Sequence, residues 1–173
     1  MPALRGLDYG KPRAKYPDFV ELPSGLQYKD IKVGSGEKPS TGDRVVIDWE
    51  GYTIGYYGRP FQLKNSVKGG AFAADTDFLR FTLGDGTVIP ALNEALATMK
   101  EGGVRQIIVP NEIGYPESDR GHTRVGPKPS TFSGNRALDF VLQNKGIIDK
   151  TLLFNVELKR VDKPGQRGFK RGA

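Results

Sequence analysis

Residues 81–110, FTLGDGTVIPALNEALATMKEGGVRQIIVP, encode a strand, a tight turn, one short helix and a second strand with almost no connecting residues. Phe81 and Leu83 alternate with Arg80 and Thr82, the period of two that marks a strand. Gly84-Asp85-Gly86 interrupts it, because glycine adopts backbone angles that other residues avoid. Pro90 suits the first turn of a helix, where its missing N–H costs nothing. Leu92, Ala95, Leu96 and Met99 then recur at helical spacing, Gly102-Gly103 predicts the stop, and Ile107-Ile108-Val109 begins the next strand. Val88-Ile89 immediately precedes the helix. Apolar side chains beside the free N–H groups of a helix start can form a pocket that accepts a carbonyl.

Outward from this stretch the punctuation is that of a turn-rich β protein. Met1 to Pro23 is polar and rich in Gly and Pro, which predicts an extended arm. Leu26 to Val33 reads as a first strand, and Lys38 to Asp43 as a turn. In Arg44 to Tyr52, Val45, Ile47 and Trp49 share one face, opposite Val46, Asp48 and Glu50, so a half-buried strand is expected. Tyr52 to Asp77 reads as a long loop or irregular hairpin containing Gly55, Gly58, Gly69 and Gly70. In Pro116 to Lys150, Ser133 is a plausible N-cap. Leu138, Val141 and Leu142 have helical spacing, Phe140 adds bulk, and Gly146 is a plausible stop. Leu152, Phe154, Val156 and Leu158 alternate with Leu153, Asn155, Glu157 and Lys159 in a last strand.

The chain has 173 residues, enough for one well-buried domain, with 23 Gly, 12 Pro and no Cys. Without cysteine there are no disulfides, thiol catalysis or thiolate metal sites. No apolar run of about 18 residues predicts a membrane-spanning helix. Met1 to Tyr16 has four basic residues but no apolar block, so no secretory or transit segment is expected there. The net charge of +6 sits at the ends: residues 1–16 carry +3 and residues 159–173 carry +5, which leaves the body at −2. Such ends are either solvated tails or a docking surface for an acidic protein, a nucleic acid or an anionic membrane. Nucleic-acid binding has no further support, because interleaved aromatics and a recognisable module are both missing. His122 is the single histidine. It lies in a polar loop beside Arg120 and Arg124, and no metal cluster or triad can be built around it. Glu112, Glu117 and Asp119 are explained by a solvated loop. Gly84-Asp85-Gly86 is followed by no Lys-Ser/Thr, so it is no phosphate loop.

Five stretches in order resemble the FKBP-type (immunophilin) peptidyl-prolyl cis-trans isomerases. They are Val45 to Tyr52, Gly58-Arg59-Pro60-Phe61, Thr87-Val88-Ile89-Pro90, Val109 to Tyr115, and Thr151 to Leu158. The resemblance covers roughly Ser24 to Val161. Thr131-Phe132-Ser133-Gly134 and Ala137 to Leu142 are similar to an insertion found in FKBPs of the chloroplast thylakoid lumen of plants and algae, and Lys15-Tyr16-Pro17-Asp18 looks like the start of those mature proteins. The resemblance implies an α+β fold, an antiparallel β-sheet of five to six strands wrapped around one α-helix, with a short helix in an insertion before the last strand. It implies an arm at 1–23, an isomerase domain at 24–161 with its insertion at 116–150, and a basic tail at 162–173.

By the same resemblance the pocket is lined by Trp49, Phe61, Leu79, Val88, Ile89, Leu92, Tyr115 and Phe154. The Ile89 N–H and the Tyr115 O–H are the expected donors to ligand carbonyls, and Phe61 and Phe154 the walls against a proline ring. Gln62 stands where the family has an aspartate, Trp49 where it has a wall tyrosine, Leu92 where it has a floor tryptophan, and Leu79 where it has a phenylalanine. These departures imply weakened isomerase activity and poor binding of the family's macrolide inhibitors. No metal or cofactor is expected. The implied partners are proline-containing client proteins; a photosynthetic membrane complex, approached from the membrane surface at most, is the partner of an alternative reading as a non-catalytic assembly factor. The implied location is the thylakoid lumen.

Overall fold

The alternation in residues 44–53 becomes the central strand of the sheet. The computed structural model describes residues 15–64, 78–144 and 148–164. The expected features of the outer basic ends, Gly69, Gly70 and the Gly146 stop lie outside them. Strand β1 is Val20–Glu21, β2 Gln27–Lys32, β3 Arg44–Thr53, β4 Pro60–Gln62 and β5 Leu79–Thr82. Helix α1 is Pro90–Leu96, β6 Val104–Val109, α2 Phe132–Leu142 and β7 Leu152–Asp162. All strand pairings are antiparallel, in the order β1-β2-β6-β7-β3-β4, with β5 also on β3.

Among the described residues the sheet has seven strands, where the resemblance implies five to six. β7 takes one edge of β3 along its whole length, while β5 and β4 share the other edge, β5 beside Arg44 to Ile47 and β4 beside Gly51 and Tyr52. The remaining addition is β1, inside the segment expected to be an extended arm; it pairs Val20 with Tyr28 and Glu21 with Gln27. Because β3 is bonded on both edges, it is more buried than its alternation implies. Val46 and Asp48 are buried along with Val45, Ile47 and Trp49. Val46 stands in register between Arg80 and Arg160, whose long stems flank it on the outer face.

Pro90 opens α1, as its fixed φ predicts, and Ala91, Leu92, Ala95 and Leu96 are buried. The helix ends sooner than Gly102-Gly103 implies. After Leu96 the chain continues in turns, with Thr98 N–H bonded to the Ala95 carbonyl and Met99 N–H to that of Leu96. Arg105 Nη1 also donates to the Ala95 carbonyl, at 2.9 Å, and so completes the helix end from β6. Met99 is nonetheless buried in the core with Val45, Ile47, Ile107, Phe154 and Leu158.

Helix α2 is capped two residues before the expected position. Thr131, not Ser133, is the N-cap: its backbone is extended and its Oγ1 accepts the Gly134 N–H at 2.9 Å. Ser133 falls inside the first turn. α2 buries Gly134, Ala137, Leu138 and Val141, and leaves Phe132 and Phe140 exposed. The peptide bond between Gly126 and Pro127 is cis.

Candidate functional site

β3, β4, β7 and the segment after β6 bring four rings together. Trp49 stacks on Phe154 with centroids 5.6 Å apart, and Phe61 meets Phe154 edge-on at 5.7 Å. Trp49 and Phe61 are 6.1 Å apart, and Tyr115 and Phe154 6.5 Å. These are separations at which aromatic pairs attract beyond simple burial. Val88, Ile89 and Leu92 belong to the same buried cluster, and Leu79 packs against it, partly buried. The sequence-predicted apolar site residues thus lie in or against one cluster.

Gly51 explains how Phe61 fits. A Cβ on Gly51 would lie 2.5 Å from Phe61 Cζ and 2.6 Å from Cε1. Gly51→Ala is therefore expected to push the Phe61 ring out of place and destabilise the fold by about 1–3 kcal/mol. A lower denaturation midpoint, read from the fluorescence of the single tryptophan, is the check; an unchanged midpoint would show that the ring moves freely.

The expected donors are both engaged from within. Ile89 N–H donates to the Gly126 carbonyl at 2.8 Å, and Gly126 N–H returns a bond to Thr87 at 2.8 Å. Val88 and Gly126 thereby form a parallel bridge. Tyr115 O–H donates to the Pro127 carbonyl at 2.6 Å. Burial, then the nearby Asp139 carboxylate, holds the Tyr115 hydroxyl well above its ordinary range, so it stays a neutral donor at any physiological pH. Gln62 Oε1 accepts from Ser130 N–H at 2.8 Å and from Ser130 Oγ at 3.0 Å. Residues 126–130 therefore form a strap across the polar groups of the cluster, with Pro127 and Pro129 buried.

Two residues read as solvated from the sequence are not. Asp119 is 5 % exposed, and its Oδ2 accepts the N–H groups of Arg124 and Val125 at 2.9 and 2.8 Å, immediately before the strap. His122 is buried, its Nε2 is 2.7 Å from Asp139 Oδ1, and its ring lies 4.7 Å from that of Tyr115. Glu112 and Glu117 are exposed, as expected. The backbone bond from Val125, and then that from Arg124 with the Arg124 charge, outweigh burial and hold the Asp119 carboxyl below its ordinary 3.8. A depressed carboxylate stabilises the fold above its unfolded value and loses that contribution as pH falls through the folded one. Acid titration below about 3.8 should thus weaken the strap. Asp119→Asn should flatten that part of the stability–pH curve; an unaltered curve would exclude Asp119 as the anchor.

A cavity of 360 Å³ beside Tyr115 and His122 is lined by Arg120, Asp139 and Lys150 among others, and not by Trp49, Phe61 or Phe154. Among the described residues, no group of three His, Asp or Glu side chains could hold a metal ion. No described helix is long and apolar enough to cross a membrane.

The sheet wrapped on one helix and the ring cluster at that helix start define a class of protein. Residues 35–159 match the FKBP-type peptidyl-prolyl cis-trans isomerase family, and the chain belongs to it. It is 59 % identical over 162 residues to the chloroplastic peptidyl-prolyl cis-trans isomerase FKBP19 of Arabidopsis thaliana, a match covering 93 % of this chain and 62 % of that protein. Chloroplastic FKBP16-3 of the same plant is 36 % identical over 112 residues, covering 63 % of this chain and 46 % of that one. Among solved structures, FkpA from Escherichia coli matches with a TM-score of 0.57 at 26 % identity, over 91 % of this chain and 58 % of that one. AtFKBP13 matches with a TM-score of 0.52 at 25 % identity, over 81 % and 95 %.

Proposed function

We propose that the chain is a peptidyl-prolyl cis-trans isomerase acting on X-Pro bonds of client proteins, with weakened turnover. The observation that carries this is the closed set of rings, Trp49, Phe61, Tyr115 and Phe154, at the start of α1. The barrier to rotation about an amide, roughly 18–20 kcal/mol, comes from resonance that gives the bond double-bond character. The twisted amide has lost that resonance and its charge separation, so an apolar, water-free site favours it over the planar forms. The aromatic faces supply such a site. The Ile89 N–H and Tyr115 O–H, which bond the Gly126 and Pro127 carbonyls in this structure, are the donors that would hold a client's carbonyls once those are displaced. Gln62 offers an acceptor without the charge of an aspartate, and Leu92 a floor without an indole, which is why turnover is expected to be weak.

The chloroplastic relatives support a place in the chloroplast, and the insertion resembling lumenal FKBPs supports the thylakoid lumen. A second reading, a non-catalytic assembly factor bound to a photosynthetic membrane complex, is favoured by α2, whose Phe132 is 76 % exposed. The deciding measurement is acceleration of cis-to-trans isomerisation on short X-Pro peptides with varied X. Acceleration by the wild-type chain that is lost in Phe154→Ala and reduced in Phe154→Leu supports the isomerase. No acceleration for any X leaves the assembly factor.

A further inference from the structure

The strap takes the donors that the proposed function assigns to a client's carbonyls. Its residue before the proline, Gly126, forms a two-way backbone bridge with Thr87 and Ile89, and the next carbonyl, that of Pro127, takes the Tyr115 hydroxyl. Ser130 then occupies Gln62. Backbone bonds between a short extended segment and an exposed edge are a general mode of peptide capture, and here both sides belong to one chain.

The strap is also held differently at its two ends. On the α2 side, Ser130 leads directly into the Thr131 cap. On the other side, Asp119 grips Arg124 and Val125 through their N–H groups, in a loop that His122 also ties to Asp139. The segment also buries Pro127 and Pro129 and is tied through Lys128 and Pro129 to Gly121 and Asn135, but its bridge to Val88 lies outside the strands of the sheet, so it can lift without breaking a strand pairing.

We propose that residues 126–130 are a tethered occupant of the proline site, which a client displaces by taking over the bonds to Thr87, Ile89 and Tyr115. The inference rests on the ring cluster being where clients bind. It also indicates the class of client: an extended peptide running parallel to Thr87–Ile89, with a small residue before its proline. A Cβ added at Gly126 would lie 3.7 Å from the Thr87 carbonyl, an ordinary contact with the site, and 3.2 Å from Lys128 N of the strap itself, a tight one, so the limit on size there comes from the turn of the peptide and not from Thr87.

A client that must displace a segment closed about nine-tenths of the time binds about tenfold more weakly than it would to the open site. Asp119→Ala, which frees Arg124 and Val125, should therefore bind acetyl-Ala-Gly-Pro-Lys-amide up to about tenfold more tightly than wild type. In the wild-type protein, saturation with that peptide should speed hydrogen exchange at the Gly126 amide, as its bond to Thr87 is replaced. Unchanged affinity in a folded Asp119→Ala variant overturns the strap, and so does unchanged Gly126 exchange at saturating peptide. Should Asp119→Ala fail to fold, the wild-type exchange result decides. Turnover is read separately: tighter binding with faster Gly126 exchange but no isomerisation keeps the strap and removes the catalytic reading. No binding in either protein removes both.

Discussion

Phe154→Ala should abolish X-Pro isomerisation and cost about 3–5 kcal/mol of stability, the range for removing a fully buried phenylalanine. Phe154 is completely buried near the start of β7, and it is the one ring in contact with all three others. Its removal leaves Trp49, Phe61 and Tyr115 facing a void that water can enter. That loss is large against the 5–15 kcal/mol that holds a typical domain together. Lost activity in Phe154→Ala could thus reflect a partly unfolded protein. Phe154→Leu separates the two effects. It keeps most of the volume, so its stability cost should stay below about 1.5 kcal/mol. It also removes the aromatic face, so turnover should still fall severalfold. If the leucine variant turned over as fast as wild type, the ring would matter only as packing, and the site would have to be sought elsewhere on the molecule.

The centre of this fold was legible because local chemistry and global burial agree there. Pro90 at the helix start, the alternation around β3 and β7, and the apolar face of α1 each follow from residue type and spacing. The four rings were legible too, but only through resemblance, since no spacing rule says that Phe61 and Phe154 will meet. The strap was not legible. Its contacts to Ile89, Thr87 and Tyr115 fall on backbone groups of Gly126 and Pro127, and every non-proline residue carries such groups, so side-chain pattern is silent about them.

His122 escaped for a related reason. Charged neighbours made its loop look solvated, whereas its partner Asp139 lies 17 residues away on a helix of the insertion and its ring neighbour is Tyr115. The helix end was misjudged because the group that completes it, Arg105, comes from the following strand. In each of these cases the deciding contact is made between segments that sequence reading treats separately.

Arg105 carries the second large effect expected of a single change, and it does so outside the site. It is 4 % exposed, a position that a guanidinium occupies only when its donors are met. Nε and Nη2 grip both oxygens of Asp30 on β2, at 2.7 and 3.1 Å. Nη1 donates to the Ala95 carbonyl at 2.9 Å and to Thr98 Oγ1 at 2.5 Å, and the guanidinium lies 4.1 Å over the Tyr28 ring. One side chain therefore ties β2, β6 and the end of α1 together, and α1 is the helix that carries Leu92 and follows Ile89. Arg105→Ala should cost about 3 kcal/mol, the low end of the range for breaking a buried pair, because Asp30 is partly exposed and water can reach it. Arg105→Lys should lose most of the same amount. An ammonium keeps the charge but cannot span both Asp30 oxygens and the Ala95 carbonyl at once. Denaturant midpoints of the two variants test this, together with hydrogen exchange at Thr98 and Met99, whose N–H groups close the turns after α1. A lysine variant within about 0.5 kcal/mol of wild type, the scatter of an ordinary surface change, would mean that charge alone suffices and that the helix end does not depend on the shape of the guanidinium.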